Sequence, residues 1–157
     1  MTRLLLFLVL NIFMISKLFA QQKDEIAWLS WERLEQVLEE EPKPVLIYFT
    51  AKWCGYCKKI KREVFTKPTV IEKINDRYYA VQMDVESTDS IWFDNQWFTN
   101  TQAQNRRNGI HQLPLLLASR ESYSFSLPVT LFLYPDFTVR ERVFQYYTSK
   151  RLMELLE

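Results

Sequence analysis

Val45-Leu46-Ile47-Tyr48-Phe49-Thr50 is an unbroken apolar and β-branched run, the pattern of a strand buried on both faces. Ile26 to Leu29 predicts a short strand before it. Ser30 stands where an N-cap belongs, although Arg33 replaces the acid of a capping box. Leu34, Val37 and Leu38 then recur at helical spacing as far as Glu41, and Pro42 and Pro44 end the helix. Beyond the buried run, Cys57 to Phe65 turns helical, with Ile60 and Val64 four apart on one face. Thr66 and Pro68 punctuate it, and Val70, Ile71 and Ile74 predict a short continuation to Asn75-Asp76. Tyr79 to Val85 reads as the next strand. Residues 129–134 and 139–144 flank Pro135-Asp136 as an antiparallel hairpin. Ser149 is placed to cap a final short helix carrying Leu152, Met153, Leu155 and Leu156. With no internal repeat and no low-complexity linker, these elements predict one α/β domain.

Strand polarity places the long segment between Glu86 and Leu127. If the strands at 45–50 and 79–85 are parallel, joined by the intervening helix, both finish at one edge of the sheet. Open α/β sheets bind ligands beyond that edge. The excursion, about residues 87–112, therefore emerges where the cysteines lie. Ile91-Trp92-Phe93 and Gln96-Trp97-Phe98 bracket Asp94-Asn95 as a small aromatic hairpin. Asn100 to Asn108 reads as a polar loop. His111 to Ser119 reads as a helix with Pro114 in its first turn. The hairpin offers a contact surface for an extended client, or its Trp92 and Trp97 cover the sheet edge. His111 offers a proton shuttle, or it is a surface or capping residue.

The first residues read as an address. Arg3, the apolar stretch from Leu4 to Ile15 broken only by Asn11, and Ala20 before Gln21-Gln22 match a secretory signal peptide. The apolar stretch is shorter than the roughly 20 residues that span a bilayer. Cleavage after Ala20 removes Arg3 and Lys17 and no acid, taking the formal charge from +1 to −1. The expectation is a leader over 1–20, a domain over 21–157, no membrane span after cleavage, and a periplasmic or secreted location. The whole chain has 157 residues, 20 Lys plus Arg and 19 Asp plus Glu. That balance argues against a nucleic-acid partner held by phosphate neutralisation. Two glycines, Gly55 and Gly109, cannot write a Gly-rich phosphate loop.

Chemistry concentrates in Trp53-Cys54-Gly55-Tyr56-Cys57. A helix start leaves N–H groups unpaired and carries partial positive charge, which stabilises a thiolate at Cys54. Lys52, Lys58, Lys59, Lys61 and Arg62 act in the same direction, with Glu63 the one acid nearby. Cys57, one turn on and less exposed, is placed to attack a mixed disulfide on Cys54. A plain staple or half of a metal site are the alternatives. A two-residue gap closes too short a loop to contribute much as a staple, and only His111 and the methionines remain as further soft ligands.

Val45 to Cys57, VLIYFTAKWCGYC, resembles the active-site strand and loop of the thioredoxin superfamily. Leu127-Pro128-Val129-Thr130-Leu131-Phe132-Leu133 resembles that family's cis-proline segment and following strand. Over Ile26 to Leu156 the chain resembles secreted bacterial thioredoxin-like proteins related to disulfide-interchange domains. The resemblance implies an α/β, thioredoxin-like three-layer sandwich. In it a mixed β-sheet is flanked by helices, with an insertion between the strand ending near Val85 and the cis-proline segment. It implies Cys54 as attacking thiol, Cys57 as resolving thiol, Pro128 opposite them, Leu127 pairing with extended substrate and Trp53 shielding the site. Two departures stand out. Tyr48 occupies the place of the family's buried acid, six residues before the first cysteine. Gly55-Tyr56 replaces thioredoxin's Gly-Pro, and Tyr56 restores an N–H that proline lacks.

The expected activity is exported thiol–disulfide exchange with protein thiols and disulfides, recharged by a membrane or periplasmic redox partner. No organic or metal cofactor is required, because the Cys54–Cys57 pair is itself the redox equivalent. The rival is a non-catalytic interaction module that docks partners on the 87–112 excursion. A copper chaperone is a weaker third reading, with His111 the one histidine available.

Overall fold

Every residue from Val45 to Phe49 is fully buried, which makes this strand the axis of the molecule. The structure, a computed structural model, describes residues 24–157. The expected leader lies outside them. The elements run β1 (Trp28–Leu29), α1 (Trp31–Glu40), β2 (Val45–Thr50), α2 (Gly55–Glu63), α3 (Pro68–Arg77), β3 (Tyr79–Asp84), β4 (Ile91–Phe93) and β5 (Gln96–Phe98). A 3-10 turn over Thr101–Gln104, α4 (Gln112–Ala118), β6 (Val129–Leu133), β7 (Val139–Val143) and α5 (Ser149–Leu155) complete the chain.

The main sheet has the order β1-β3-β2-β6-β7. β1 and β2 both pair parallel with β3, Val45 opposite Tyr79 and Thr50 opposite Asp84. β6 lies antiparallel on the other side of β2, with Phe49 opposite Val129 and Val45 opposite Leu133. β7 closes the sheet antiparallel to β6. This is the expected mixed sheet flanked by helices. Because β2 is central and covered on both faces, it has no polar face, as parallel strands of α/β folds generally lack one.

Local chemistry explains most boundaries. The Ser30 hydroxyl accepts from the Arg33 N–H at 3.2 Å and starts α1. Pro68 occupies the first turn of α3, where its missing N–H costs nothing. Asn75, the expected end of that helix, lies inside it. Its side chain instead clamps the N-terminal segment, accepting from the Ala27 N–H at 2.8 Å and donating to the Glu25 carbonyl at 2.9 Å. The last helix is capped by Thr148 rather than Ser149, through a 3.3 Å bond from the Arg151 N–H. Two adjacent hydroxyl residues offer the same cap, and burial of Leu152 and Leu155 selects the frame.

The excursion is folded rather than loose. Asp94 and Asn95 sit at φ 50° and 57°, so both central positions of the hairpin turn are left-handed and match a two-residue connection. Residues expected as a polar loop include the 3-10 turn, held by Asn100. Its amide donates to Ser87 and Gly109 carbonyls at 3.0 and 2.8 Å, and its oxygen accepts from the Ala103 N–H at 3.1 Å. Gly109 packs so closely that a Cβ there would stand 2.4 Å from the Ala103 nitrogen. Gly109→Ala therefore forces the turn apart and lowers stability by about 1–3 kcal/mol. A urea midpoint that does not move would show the turn to be more plastic than this packing implies.

Candidate active site around Cys54 and Cys57

β2 delivers the chain through Ala51, Lys52 and Trp53 to Cys54, whose N–H bonds the Ala51 carbonyl at 3.1 Å. α2 starts at Gly55, two residues before the expected start, so Cys54 is itself the N-cap. Its Sγ accepts from the Cys57 N–H at 3.1 Å. The two cysteines are joined as a disulfide. Cys57 is fully enclosed, and the remaining 3% exposure belongs to Cys54. A backbone donor on the sulfur and the helix's positive end both favour the anionic form of that thiol after reduction. The N–H that meets Sγ comes from Cys57, not from Tyr56.

Aromatic side chains frame the pair. Trp53 and Tyr56 are 59% and 62% exposed, enough to form a raised rim beside a recessed disulfide. The Trp53 Nε1 donates to Glu86 at 2.7 Å. Glu86 is held in turn, its N–H bonding Asp84 Oδ1 at 3.0 Å just past the end of β3. Tyr56 lies 6.1 Å from Tyr146, ring centre to ring centre, and Lys59 Nζ stands 4.7 Å above the Tyr146 ring. Neither Glu86 nor Tyr146 is marked by any sequence motif. For Glu86, parallel pairing of β2 with β3 is the signal that places it beside the cysteine loop.

The basic surround is thinner than the sequence suggests. Glu63 takes a 2.8 Å bond from Arg62 and lies 4.0 Å from Lys59. The Arg62 guanidinium, ahead of other influences, holds its carboxyl below the usual range. Among the described residues, Lys52, Lys58 and Lys61 remain without an ion pair, and Lys59 and Arg62 share Glu63. Under the site, Tyr48 donates its hydroxyl to the Cys57 carbonyl at 3.0 Å. Burial pushes the Tyr48 phenol well above its ordinary value, so it keeps its proton at neutral pH. The family's buried acid is thus replaced by a group that anchors the second cysteine's backbone. The Leu127–Pro128 peptide is cis. Since Val129 pairs with Phe49, Pro128 stands at the same end of the sheet as the cysteines. Pro128 is buried and Leu127 half-buried.

With this geometry in place, the chain matches the thioredoxin-like family model over residues 27–135. It belongs to the thioredoxin-like family. A segment of 61 residues is 30% identical to the thiol:disulfide interchange protein DsbD of Campylobacter jejuni, covering 39% of this chain. The match spans only 11% of that protein's length. The solution structure of a thioredoxin from Thermus thermophilus superposes with a TM-score of 0.59 at 16% identity, covering 84% of this chain and 85% of that one. The reduced C-terminal domain of Neisseria meningitidis DsbD gives 0.51 at 18%, covering 80% and 89%. At such identities the structures establish the fold alone.

Two further candidates of this thioredoxin-like domain are sorted by their surroundings. His111 is fully buried and caps α4, its Nδ1 accepting from the Leu113 N–H at 3.2 Å. Its Nε2 lies 3.1 Å from the Asp89 carbonyl. Both ring nitrogens are engaged, which leaves none to shuttle protons and makes the capping role the one observed. Among the described residues no cluster of three or more His, Cys, Asp and Glu side chains approaches metal-binding geometry. The hairpin divides its labour. Ile91, Phe93 and Phe98 bury one face, while Trp92 and Trp97 pair edge-to-face at 5.3 Å on the other. The tryptophans are therefore not what covers the fold.

Burial lowers the His111 pKa below its ordinary 6.5. The unfolded chain then takes up a proton that the folded chain refuses, so stability is complete above about pH 6.5 and falls as pH drops below it. Urea unfolding between pH 7.5 and 5 tests this expectation, and His111→Asn should flatten that part of the profile. An equal slope in both proteins would remove His111 as its cause.

Proposed function

We propose that this chain is an exported thiol–disulfide oxidoreductase acting on protein thiols and disulfides. The observation that carries the reading is the Cys54–Cys57 disulfide at the start of α2, with Cys54 as N-cap and the less enclosed of the two residues. In the oxidising direction a client thiolate attacks Cys54 Sγ, and Cys57 leaves as a thiolate. A second client thiolate then attacks the client sulfur of the mixed disulfide and releases Cys54, again as a thiolate. Two electrons pass to the pair, and the client gains one disulfide. Reduction is the same path reversed, with Cys57 resolving the adduct. Trp53 and Tyr56 border the approach, and Leu127 beside the cis Pro128 offers backbone to an extended client. The leader pattern before residue 21 supports export to an oxidising compartment.

Tyr48 holds its own proton and accepts none from Cys57, while the helix start stabilises the Cys54 thiolate. The helix start is common to the fold. The expectation of a pair more oxidising than thioredoxin, above about −270 mV, therefore rests on the two departures, Tyr48 and the Tyr56 that replaces proline. Cys54→Ser should abolish exchange, and Cys57→Ala should accumulate mixed disulfides on Cys54, read by non-reducing mass spectrometry. Full exchange by Cys54→Ser, or a glutathione-buffer potential at or below the thioredoxin value, would contradict the reading.

A second reading rests on Trp97, 63% exposed beside Trp92. The hairpin then contributes an aromatic contact for clients on its outer face, away from the cysteines. Replacing Trp92 and Trp97 with Ser should weaken client turnover while the redox potential stays constant. An unfolded double variant would assign the pair to stability instead.

A further inference from the structure

A groove of about 490 Å³ opens far from the disulfide, between α1, the β4–β5 hairpin, α4 and the β6–β7 turn. Its location follows from strand register. Cys54 lies past Thr50, the C-terminal end of β2, whereas Pro135 to Phe137 follow Leu133, which pairs with Val45 at the opposite end. The length of β2, roughly 17 Å, separates the two places.

The floor is apolar: Phe93, Phe98, Leu113, Leu117 and Phe137 line it. Leu116 at its lip is 65% exposed, although a burial site lies beside it. The rim carries Glu35, Glu39, Asp94 and Asp136, and among the described residues no Lys or Arg lines the groove. Arg142 approaches α4, its Nε donating to the Leu117 carbonyl at 2.8 Å, but it is not among the lining side chains. Phe137 adds a second sign. It sits at φ 65°, left-handed backbone that a bulky side chain adopts only at a cost. The turn Pro135-Asp136-Phe137 would be relaxed by glycine at that place. Instead the ring is kept, 5.1 Å from that of Phe93.

We propose that this groove docks a partner polypeptide through a segment of apolar residues interspersed with Lys or Arg. The apolar side chains would displace water from the aromatic floor, and the basic ones would meet the four carboxylates of the rim. Complementary charge sets the choice of partner and the rate of encounter. A docked partner would be held to the domain without occupying the cysteine site, which raises the effective concentration of any cysteine it carries.

The test uses the protein purified from cells expressing the full chain, with a fluorescein-labelled peptide of alternating Lys and Leu, and its Glu–Leu counterpart as control. Anisotropy should rise to saturation with the Lys–Leu peptide, weaken with added salt, and show no saturation with the Glu–Leu peptide. Glu39→Gln, Asp94→Asn and Asp136→Asn together keep side-chain shape and the turn's acceptors, and should lower affinity about tenfold or more. Phe137→Gly relieves the backbone but removes the ring from the floor, and should lower affinity in a variant that circular dichroism shows to be folded at the assay temperature. Cys54→Ser should bind the peptide as the parent does, so failure of exchange and failure of docking are read separately. The proposal is overturned if the Lys–Leu peptide does not saturate, if the two peptides bind alike, or if the three neutralising substitutions leave affinity unchanged.

Discussion

The strand–helix junction at Thr50 to Gly55 is the constraint on which the rest of the molecule depends. A fully buried β2 cannot shift without exposing both of its faces, and one residue of slippage would turn every side chain to the other side. Its end therefore presents Cys54 at one fixed place, where the backbone changes from extended to helical. The same change leaves the N–H of Cys57 unpaired by the helix and aimed at Cys54 Sγ. Rigidity in the core and reactivity at the sulfur are thus consequences of a single turn. Tyr48, in the middle of β2, reinforces the connection by tying the carbonyl of Cys57 back to the strand.

Around that junction the protein keeps polar contacts few and specific. Glu86 connects the excursion to the cysteine loop through the Trp53 indole, while Tyr146 stands between Tyr56, Lys59 and Glu63 from a segment near the C-terminus. These bonds are largely exposed, so each is worth little alone. Their value lies in orienting aromatic rings beside a disulfide whose own surface is nearly closed. Beneath the same end of the sheet, the buried Thr130 and Tyr147 hydroxyls satisfy each other at 2.8 Å, which lets β6 carry a polar residue in the core without a stranded group.

The excursion widens the surface of the domain beyond the main sheet. One face of the hairpin and α4 extends the hydrophobic core past α1, with Trp31 meeting Phe93 edge-to-face at 5.1 Å. Glu35 pins the hairpin turn by accepting the Asp94 N–H at 2.9 Å. His111 and Asn100 then pair backbone groups that the excursion would otherwise bury unpaired. The result is two separate outward features: a tryptophan pair on the hairpin's outer face, and an acid-rimmed apolar groove on its inner side.

What could be read from the residues alone was what depends on near neighbours in the chain. The unbroken apolar run of β2, the hydroxyl before α1, the two-residue turn at Asp94-Asn95 and the spacing of Cys54 and Cys57 each carry their physics within a few positions. The parallel pairing of β2 and β3 was also within reach, because a helix between two strands permits little else. Tertiary structure alone decided which of Thr148 and Ser149 caps α5, since both hydroxyls suit the cap and only burial of Leu152 and Leu155 separates them. It alone made His111 a buried cap, brought Glu86 to Trp53 and Tyr146 to Tyr56, and gathered Glu35, Asp94 and Asp136 around Phe137. Those outcomes pair residues tens of positions apart, and no local preference specifies which distant side chain will arrive.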